Sequence, residues 1–197
     1  MRPCDLVLVG IGGQGVLTIG ELLLRAAFAA EIPASLCPTK GMAQRGGSVK
    51  VEVRLGRERI GPRIREGGAD LVVGMERSEA LRGIRYGKPE GTFLLYDHVW
   101  EPTGVMLGRE PYPSREDVIR ALIARRIEVR LLDPADRPSI DGRPVASNIY
   151  VLGALLTWAP LAELLDIEAV EEVVAAQWPK AQGLNRTAFR SGQKAMR

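Results

Sequence analysis

Cysteine and histidine are scarce in this sequence of 197 residues, which contains two cysteines and one histidine. Cys4 and Cys37 form no closely spaced pair, so the sequence offers no cysteine-based zinc site and no ligand set for an iron–sulfur cluster. The single histidine, His98, has no serine or cysteine motif around it of the kind that forms a nucleophilic triad. We therefore expect neither a metal nor a catalytic residue on this chain.

Long hydrophobic runs are also absent. No segment approaches the roughly 20 apolar residues that span a bilayer. The first apolar run, residues 6–9, leads into glycines where a signal peptide would continue its apolar core. The sequence thus predicts a cytoplasmic protein that does not enter a membrane. The net charge is only +3, with both signs interspersed, so no basic patch for a nucleic acid is indicated.

The remaining composition is typical of a folded domain. Hydrophobic residues make up 46% of the chain, charged residues make up 26%, and the mean hydropathy is −0.02. Domains usually contain about 100–200 residues, so residues 1–197 are predicted to form a single domain. A chain of this length can bury a sizeable core without the help of disulfides.

The order of the predicted elements indicates an α/β fold. An apolar strand over residues 6–10 is followed by a glycine loop and by a helix over residues 16–30. Further strands are predicted over residues 34–38, 69–75, 92–97 and 127–132, and helices over residues 77–82, 115–126, 148–158, 167–178 and 185–196. This alternation predicts a three-layer α/β/α, Rossmann-like architecture with a mostly parallel sheet.

One further strand has a different pattern. In residues 48–55, valine and leucine alternate with lysine, glutamate and arginine, which predicts a strand that is buried on one face only. Strands inside a parallel sheet are normally apolar on both faces. We therefore place this strand near an edge of the sheet or in an antiparallel position.

The first glycine loop satisfies the pattern G-x-G-x-x-G at Gly10, Gly12 and Gly15, between a strand and a helix. In a dinucleotide enzyme, an acidic residue about 20 positions later binds the ribose hydroxyl. Here Glu31 comes before the second strand, and that strand leads to Lys40 with no carboxylate. Three interpretations stay open: a nicotinamide site, a different phosphate site, and glycines that only allow the helix to pack on its strand.

The second glycine loop lies between the second and third predicted strands, over residues 40–48. If the second strand runs parallel to the first, both loops lie at the edge of the sheet where α/β proteins bind ligands. Arg45 would then supply a positive charge, Gln44 a side-chain amide, and Gly46 and Gly47 backbone N–H donors. The alternative is a surface turn whose arginine is solvated or contacts a partner subunit.

The two loops together resemble the small (beta- or gamma-type) subunit of 2-oxoacid:ferredoxin oxidoreductases, most closely the beta subunit of the indolepyruvate branch. The residues that carry the likeness read GIGGQGV over 10–16 and GMAQRGGSV over 41–49. Weaker matches follow in order, among them ADLVVGME over 69–76, Tyr112-Pro113, Leu152-Gly153-Ala154 and Asn185. The resemblance therefore covers nearly the whole chain.

The resemblance implies a complex that oxidatively decarboxylates a 2-oxoacid on thiamine diphosphate, with Mg, and forms an acyl-CoA. Electrons would pass through 4Fe-4S clusters to ferredoxin, and the large catalytic subunit would hold these cofactors. The sequence agrees, because it has only Ile140-Asp141-Gly142 where a thiamine motif would read Gly-Asp-Gly. Pro38-Thr39-Lys40 stands where the aromatic branch usually carries an acidic residue and a histidine, so another 2-oxoacid remains an alternative substrate.

We expect both glycine loops to lie at the interface with the large subunit. Their backbone amides would hold a phosphate of coenzyme A or of thiamine diphosphate, paired with Arg45, or they would contact only the partner. The candidate binding residues are Gly10, Gly12, Gly13, Gln14, Gly15, Gln44, Arg45, Gly46 and Gly47. A free-standing NAD(P) oxidoreductase and a purely structural assembly module are the rival hypotheses. A homodimer of the isolated chain stays open.

Overall fold

The computed structural model describes residues 2–41, 46–57 and 61–196 and places six strands in one sheet. In chain order the strands are β1 (Cys4–Ile11), β2 (Ala34–Lys40), β3 (Ser48–Leu55), β4 (Ala69–Gly74), β5 (Gly87–Tyr96) and β6 (Glu128–Leu132). Their order across the sheet is β2-β3-β1-β4-β5-β6. Strands β1, β4, β5 and β6 are parallel neighbours, whereas β3 is antiparallel to both β1 and β2.

Helices cover both faces of this sheet. They are α1 (Val16–Ala29), α2 (Arg77–Gly83), α3 (Thr103–Met106), α4 (Arg115–Ala124), α5 (Ser147–Leu155), α6 (Ala159–Ala162), α7 (Ile167–Gln177) and α8 (Gln182–Ala195). A small hairpin, β7 (Ser139–Ile140) and β8 (Arg143–Pro144), precedes α5. Short 3-10 turns span Ile84–Tyr86, Pro134–Asp136 and Pro179–Ala181.

The core consists of two apolar layers separated by the sheet, because successive side chains of a strand point to opposite faces. In β1, Leu6 and Leu8 pack with α1, α5, α7 and α8, while Val7 and Val9 pack with α2 and α4. All four side chains are buried. The predicted three-layer α/β/α fold with a mostly parallel sheet is therefore confirmed.

Strand β3 corrects one detail of the sequence prediction. It is antiparallel and lies next to the edge strand β2, so its predicted placement is confirmed. The expected exposure of its polar face is wrong for Glu52, which is only 1% exposed. One carboxylate oxygen of Glu52 accepts a hydrogen bond from the backbone N–H of Ile64 at 3.1 Å and lies 3.3 Å from the ammonium of Lys50. The polar face is thus partly covered by the chain that follows β3.

Helices α5 and α8 are in unusually close contact. The central part of α5 is apolar on all sides and buried on all sides, as expected for a helix inside a core. A Cβ atom built on Gly153 would lie 1.9 Å from the carbonyl oxygen of Phe189, and one built on Gly192 would lie 1.9 Å from that of Tyr150. Glycine at both positions therefore lets the two backbones touch.

Candidate functional site

The two glycine loops lie at the carboxyl edge of the sheet, where its connections change direction. Helix α1 follows β1 on one face of the sheet, and α2 follows β4 on the other face. Because β1 and β4 are neighbours, a crevice opens between the ends of these two strands. Open α/β sheets bind their ligands at such a switch point.

The glycines of the first loop have different structural roles. Gly15 begins α1 with φ +75°, and a Cβ atom there would lie 2.5 Å from Nδ2 of Asn148 on α5. A Cβ atom on Gly10 would lie 2.7 Å from Oε1 of Gln14. Gly13 has φ +102° and no heavy atom of the described residues within 4 Å of its Cβ position. Gly10 and Gly15 thus serve packing, whereas Gly13 leaves open space in front of the loop.

The Gly15→Ala variant is expected to lower the free energy of unfolding by about 2–4 kcal/mol, from left-handed strain together with the displacement of Asn148. The measurement is urea denaturation of the purified chain. Adding Asn148→Ala is expected to remove the contacts with Nδ2 and Cγ but not the one with Cβ at 2.9 Å, so about 1–3 kcal/mol of the loss should remain. A double-mutant cycle with no coupling between the two positions would contradict this account.

Backbone hydrogen bonds join the second loop to the first. The N–H of Gly12 donates to the carbonyl oxygen of Gly47 at 2.8 Å, and the N–H of Gly41 donates to that of Ser48 at 2.9 Å. Gly46 has φ +69°, a conformation that favours glycine. Gln44 and Arg45 lie outside the described residues, so their contacts stay predictions. The other seven candidate residues are brought together at one edge of the sheet.

A cavity of about 560 Å³ lies between the two loops. It is lined by Ile11, Gly12, Gly13, Gly15, Val16, Leu17, Lys40, Gly41, Gly47, Ser48 and Val49. Its volume falls in the range of small-molecule sites, roughly 300–1,000 Å³. Lys40 is the one charged side chain among the described residues that line it. Helix α1 also begins at this cavity, and its N-cap residue, Gly15, makes no side-chain hydrogen bond to the first backbone N–H groups. The cavity therefore favours an anionic or polar group.

A second groove of about 610 Å³ adjoins the loops on the side of α2. Its walls are the loop residues Ile11 and 46–48, the α2 residues Ser78, Glu79 and Arg82, and residues 100–103 with Met106. Trp100 is 54% exposed and Met106 is 72% exposed. This groove therefore combines exposed apolar side chains with charged groups of α2.

The segment that carries Trp100 and Met106 is fixed at both of its ends. At the end of β5, the buried carboxylate of Asp97 accepts hydrogen bonds from Arg77 at 2.7 and 2.9 Å and pairs with Arg115. The hydroxyl of Tyr112 donates to the fully buried carboxylate of Glu76. The hydrogen bond to Asp97 raises the pKa of Arg77, so its charge persists throughout the physiological range. We call residues 97–115 the anchored segment.

The side chain of Gln14 connects the first loop to the ends of β4 and β5. Its Oε1 accepts from the N–H of Ile11 at 2.9 Å, and its Nε2 donates to the carbonyl oxygen of Met75 at 2.8 Å. The same Nε2 lies 3.3 Å from Nδ1 of His98, which is half-buried. The sequence gives no signal for this contact, because Gln14 and His98 are far apart in the chain and share no motif.

Metal-ligating side chains are not clustered among the described residues. These residues contain no group of three or more His, Cys, Asp or Glu side chains placed to hold a metal ion. Cys4 is buried at the start of β1, whereas the loops lie at the opposite, carboxyl ends of the strands. Burial raises the pKa of its thiol. Cys37 is half-buried in β2. These residues therefore offer no ligand set for an iron–sulfur cluster. Among the described residues, no helix is long and apolar enough to span a membrane.

The strand order also weakens the dinucleotide hypothesis. Because β3 lies between β1 and β2, the end of β2 is two strand spacings, about 10 Å, from the end of β1. The acidic residue of a dinucleotide site would have to reach across that strand. The N–H of Gly12, a potential phosphate donor, is already bonded to Gly47. This geometry favours a site shared by both loops.

Comparison with known proteins identifies relatives over nearly the full length of the chain. Residues 5–195 match the model of the family described as pyruvate ferredoxin/flavodoxin oxidoreductase. A protein of Archaeoglobus fulgidus named indolepyruvate oxidoreductase subunit IorB is 35% identical over 95% of this chain and 92% of its own. The protein of that name from Pyrococcus horikoshii is 36% identical over 99% of this chain and 96% of its own.

Solved structures share the fold at lower sequence identity. The pyruvate oxidoreductase subunit PORC of Thermotoga maritima superimposes with a TM-score of 0.74 at 18% identity, covering 100% of this chain and 98% of that one. A chain of the 2-oxoglutarate:ferredoxin oxidoreductase of Magnetococcus marinus gives 0.68 at 16% identity, and the match covers 100% of this chain but 31% of that one. The fold thus occurs both as a separate subunit and within a longer chain. The resemblance inferred from the two glycine loops is confirmed, and the chain belongs to the pyruvate ferredoxin/flavodoxin oxidoreductase family.

Proposed function

We propose that this chain is the small subunit of a thiamine-dependent, indolepyruvate-type 2-oxoacid:ferredoxin oxidoreductase. In that reaction a 2-oxoacid and coenzyme A give an acyl-CoA, carbon dioxide and a proton, and two electrons pass to ferredoxin. The observation that carries the proposal is the full-length similarity to proteins named indolepyruvate oxidoreductase subunit IorB. Because the described residues contain no group of metal ligands for a cluster or for Mg, these metal centres are assigned to the large subunit.

The large subunit would dock at the carboxyl edge of the sheet, over both glycine loops. The groove beside the loops supports this placement, because Trp100 and Met106 expose apolar surface there. Gly13 leaves space in front of the first loop, and Arg45 belongs to the second. Both features suit a phosphate of coenzyme A or of thiamine diphosphate held between the two subunits.

The Arg45→Ala variant tests this assignment after co-expression with the large subunit. We expect assembly to weaken, or the KM for coenzyme A to rise, by about tenfold, because a charge-assisted contact is lost. The measurement is arylpyruvate-dependent reduction of ferredoxin, together with the amount of large subunit that co-purifies. Arg120→Ala is the matched control, since Arg120 lies on α4 and pairs only with Asp117 among the described residues.

Wild-type levels of both assembly and ferredoxin reduction in Arg45→Ala would remove both roles assigned to the second loop. Comparing arylpyruvates with pyruvate and 2-oxoglutarate tests the substrate class. This comparison is needed because Pro38, Thr39 and Lys40 depart from the aromatic branch and Lys40 lines the cavity. Saturable micromolar binding of NADH or NADPH to the isolated chain, with turnover, would favour a free-standing dehydrogenase instead.

A further inference from the structure

Three contacts fix the side-chain amide of Gln14 in one orientation. Oε1 must be the atom that faces the N–H of Ile11, because the opposite orientation would bring two donors together. Nε2 then faces the carbonyl oxygen of Met75 and Nδ1 of His98, which are separate acceptors for its two hydrogens. Gln14 is therefore hydrogen-bonded to the ends of β1, β4 and β5 at the same time.

This arrangement also determines the state of His98. Because Nε2 of Gln14 can only donate, Nδ1 of His98 must carry a lone pair, and its proton must lie on Nε2. The ring stacks on Tyr96 with the ring centroids 6.2 Å apart and the planes 11° from parallel. Its backbone is held by hydrogen bonds from His98 N–H to the Tyr96 carbonyl oxygen at 2.7 Å and from Arg77 N–H to the His98 carbonyl oxygen at 2.9 Å. The imidazole is thus held neutral and in a defined position.

The charged groups around His98 come from several elements. Glu76, at the start of α2, favours protonation, and its carboxylate is held by Tyr112. Arg137, after the turn Pro134–Asp136, opposes protonation, and Asp97 is neutralised by Arg77 and Arg115. Burial is the largest influence, and the pKa of His98 lies below its usual value of 6.5.

We propose that His98 is a positioning residue for the first glycine loop, and that its protonation releases Gln14 and disorders the loop surface that meets the large subunit. A proton on Nδ1 would place a donor against the amide N–H of Gln14. The amide would then have to rotate, and that rotation breaks its bonds to Ile11 and Met75. The identity of the affected partner rests on the proposed function, whereas the coupling between His98 and Gln14 does not.

The direction of the pH effect follows from proton binding. Because the pKa of His98 is lower in the folded chain than the usual 6.5, the unfolded chain binds this proton at higher pH than the folded chain does. This group therefore lowers folding stability as the pH falls through 6.5 towards the folded-state pKa. Below that pKa its effect is constant. Association with the large subunit is expected to weaken over the same range.

The isolated full chain gives a direct test, because its single histidine produces one set of imidazole signals in NMR spectra. The ¹⁵N shifts are expected to show the Nε2–H tautomer, with a titration midpoint below 6.5. In Gln14→Glu, a carboxylate faces Nδ1, so the midpoint is expected to rise above the wild-type value by about one unit or more. Equal midpoints in the two proteins, or the Nδ1–H tautomer in wild type, would overturn the proposal.

The assembled complex provides the second measurement. We expect the wild-type small subunit to bind the large subunit more weakly at pH 5.5 than at pH 7.5, by a factor below about ten, because the midpoint of His98 lies below 6.5. His98→Asn can present an amide oxygen to Gln14 without titrating, so it is expected to bind well at pH 7.5 and to lose much less at pH 5.5. Equal pH dependence in wild type and His98→Asn would refute the proposed release of Gln14. If the NMR result holds but no large subunit binds at any pH, the proposed function fails and the coupling stands.

Discussion

Alanine at Gly192 is expected to remove about 3–5 kcal/mol from the free energy of unfolding, because helices α5 and α8 touch there through their backbones. The new Cβ atom would lie 1.9 Å from the carbonyl oxygen of Tyr150, whereas ordinary contacts of this kind begin near 3.4 Å. A rigid carbonyl cannot move aside as a flexible side chain can. Helix α8 would therefore have to shift, and the buried side chains of Ala188 and Phe189 would leave their positions in the core.

Urea denaturation followed by circular dichroism measures this loss. Gly183→Ala is the matched control on the same helix, because no heavy atom of the described residues lies within 4 Å of its Cβ position. It is expected to stabilise the chain by about 0.5–1 kcal/mol through the higher helix propensity of alanine. If the free energy of unfolding of Gly192→Ala, measured by urea denaturation, is within about 1 kcal/mol of the wild-type value, α5 and α8 are not in backbone contact.

Replacing Trp100 and Met106 together, by alanine and serine, is expected to weaken binding to the large subunit about 100-fold. Both side chains project from the anchored segment next to the second glycine loop. Because Asp97 and Tyr112 hold the ends of this segment, little ordering is needed when it binds. A rigid, exposed tryptophan beside a groove is typical of the residues that dominate binding energy.

Co-purification with the large subunit and a titration of the two purified subunits would measure this effect. Ile123→Ser is the control. Ile123 is 64% exposed but lies near the end of α4, towards the amino ends of the parallel strands and away from the loops. Circular dichroism and a thermal melt of both variants establish that the fold is intact. Unchanged affinity in the Trp100 and Met106 variant would move the interface away from this groove, while weaker binding in the Ile123 control would point to the opposite edge.

Much of the fold was predictable because local patterns define it. The apolar run of β1, the glycines after it and the periodicity of α1 identify the first unit from sequence alone. The burial of Glu52 was not predictable, because its partner Ile64 belongs to an irregular segment without a periodic pattern. Its alternation with Val51 and Val53 indicates which residues share a face, but not what covers that face.

The candidate site was predictable in its position but not in the role of each residue. The spacing of the glycines predicts a loop at the carboxyl end of β1, yet the packing of Gly15 against Asn148 depends on where α5 lies. The bond between Gly12 and Gly47 uses only backbone atoms, so no side chain indicates it. The contact between Gln14 and His98 joins residues far apart in sequence, and only the parallel order of β1, β4 and β5 brings them together.

The central position of β1 has a consequence for how the chain is made. This strand is the first to be synthesised, but its two neighbours are β3 and β4, which end at Leu55 and Gly74. Roughly 60 residues must follow β1 before both of its edges can pair, which takes about 3–12 s at ribosomal speed. During that interval an apolar segment with at least one unpaired edge is exposed to the cell. Of the six strands, β1 is therefore the one that waits longest for its partners and is available to a nascent-chain chaperone that recognises short apolar strands.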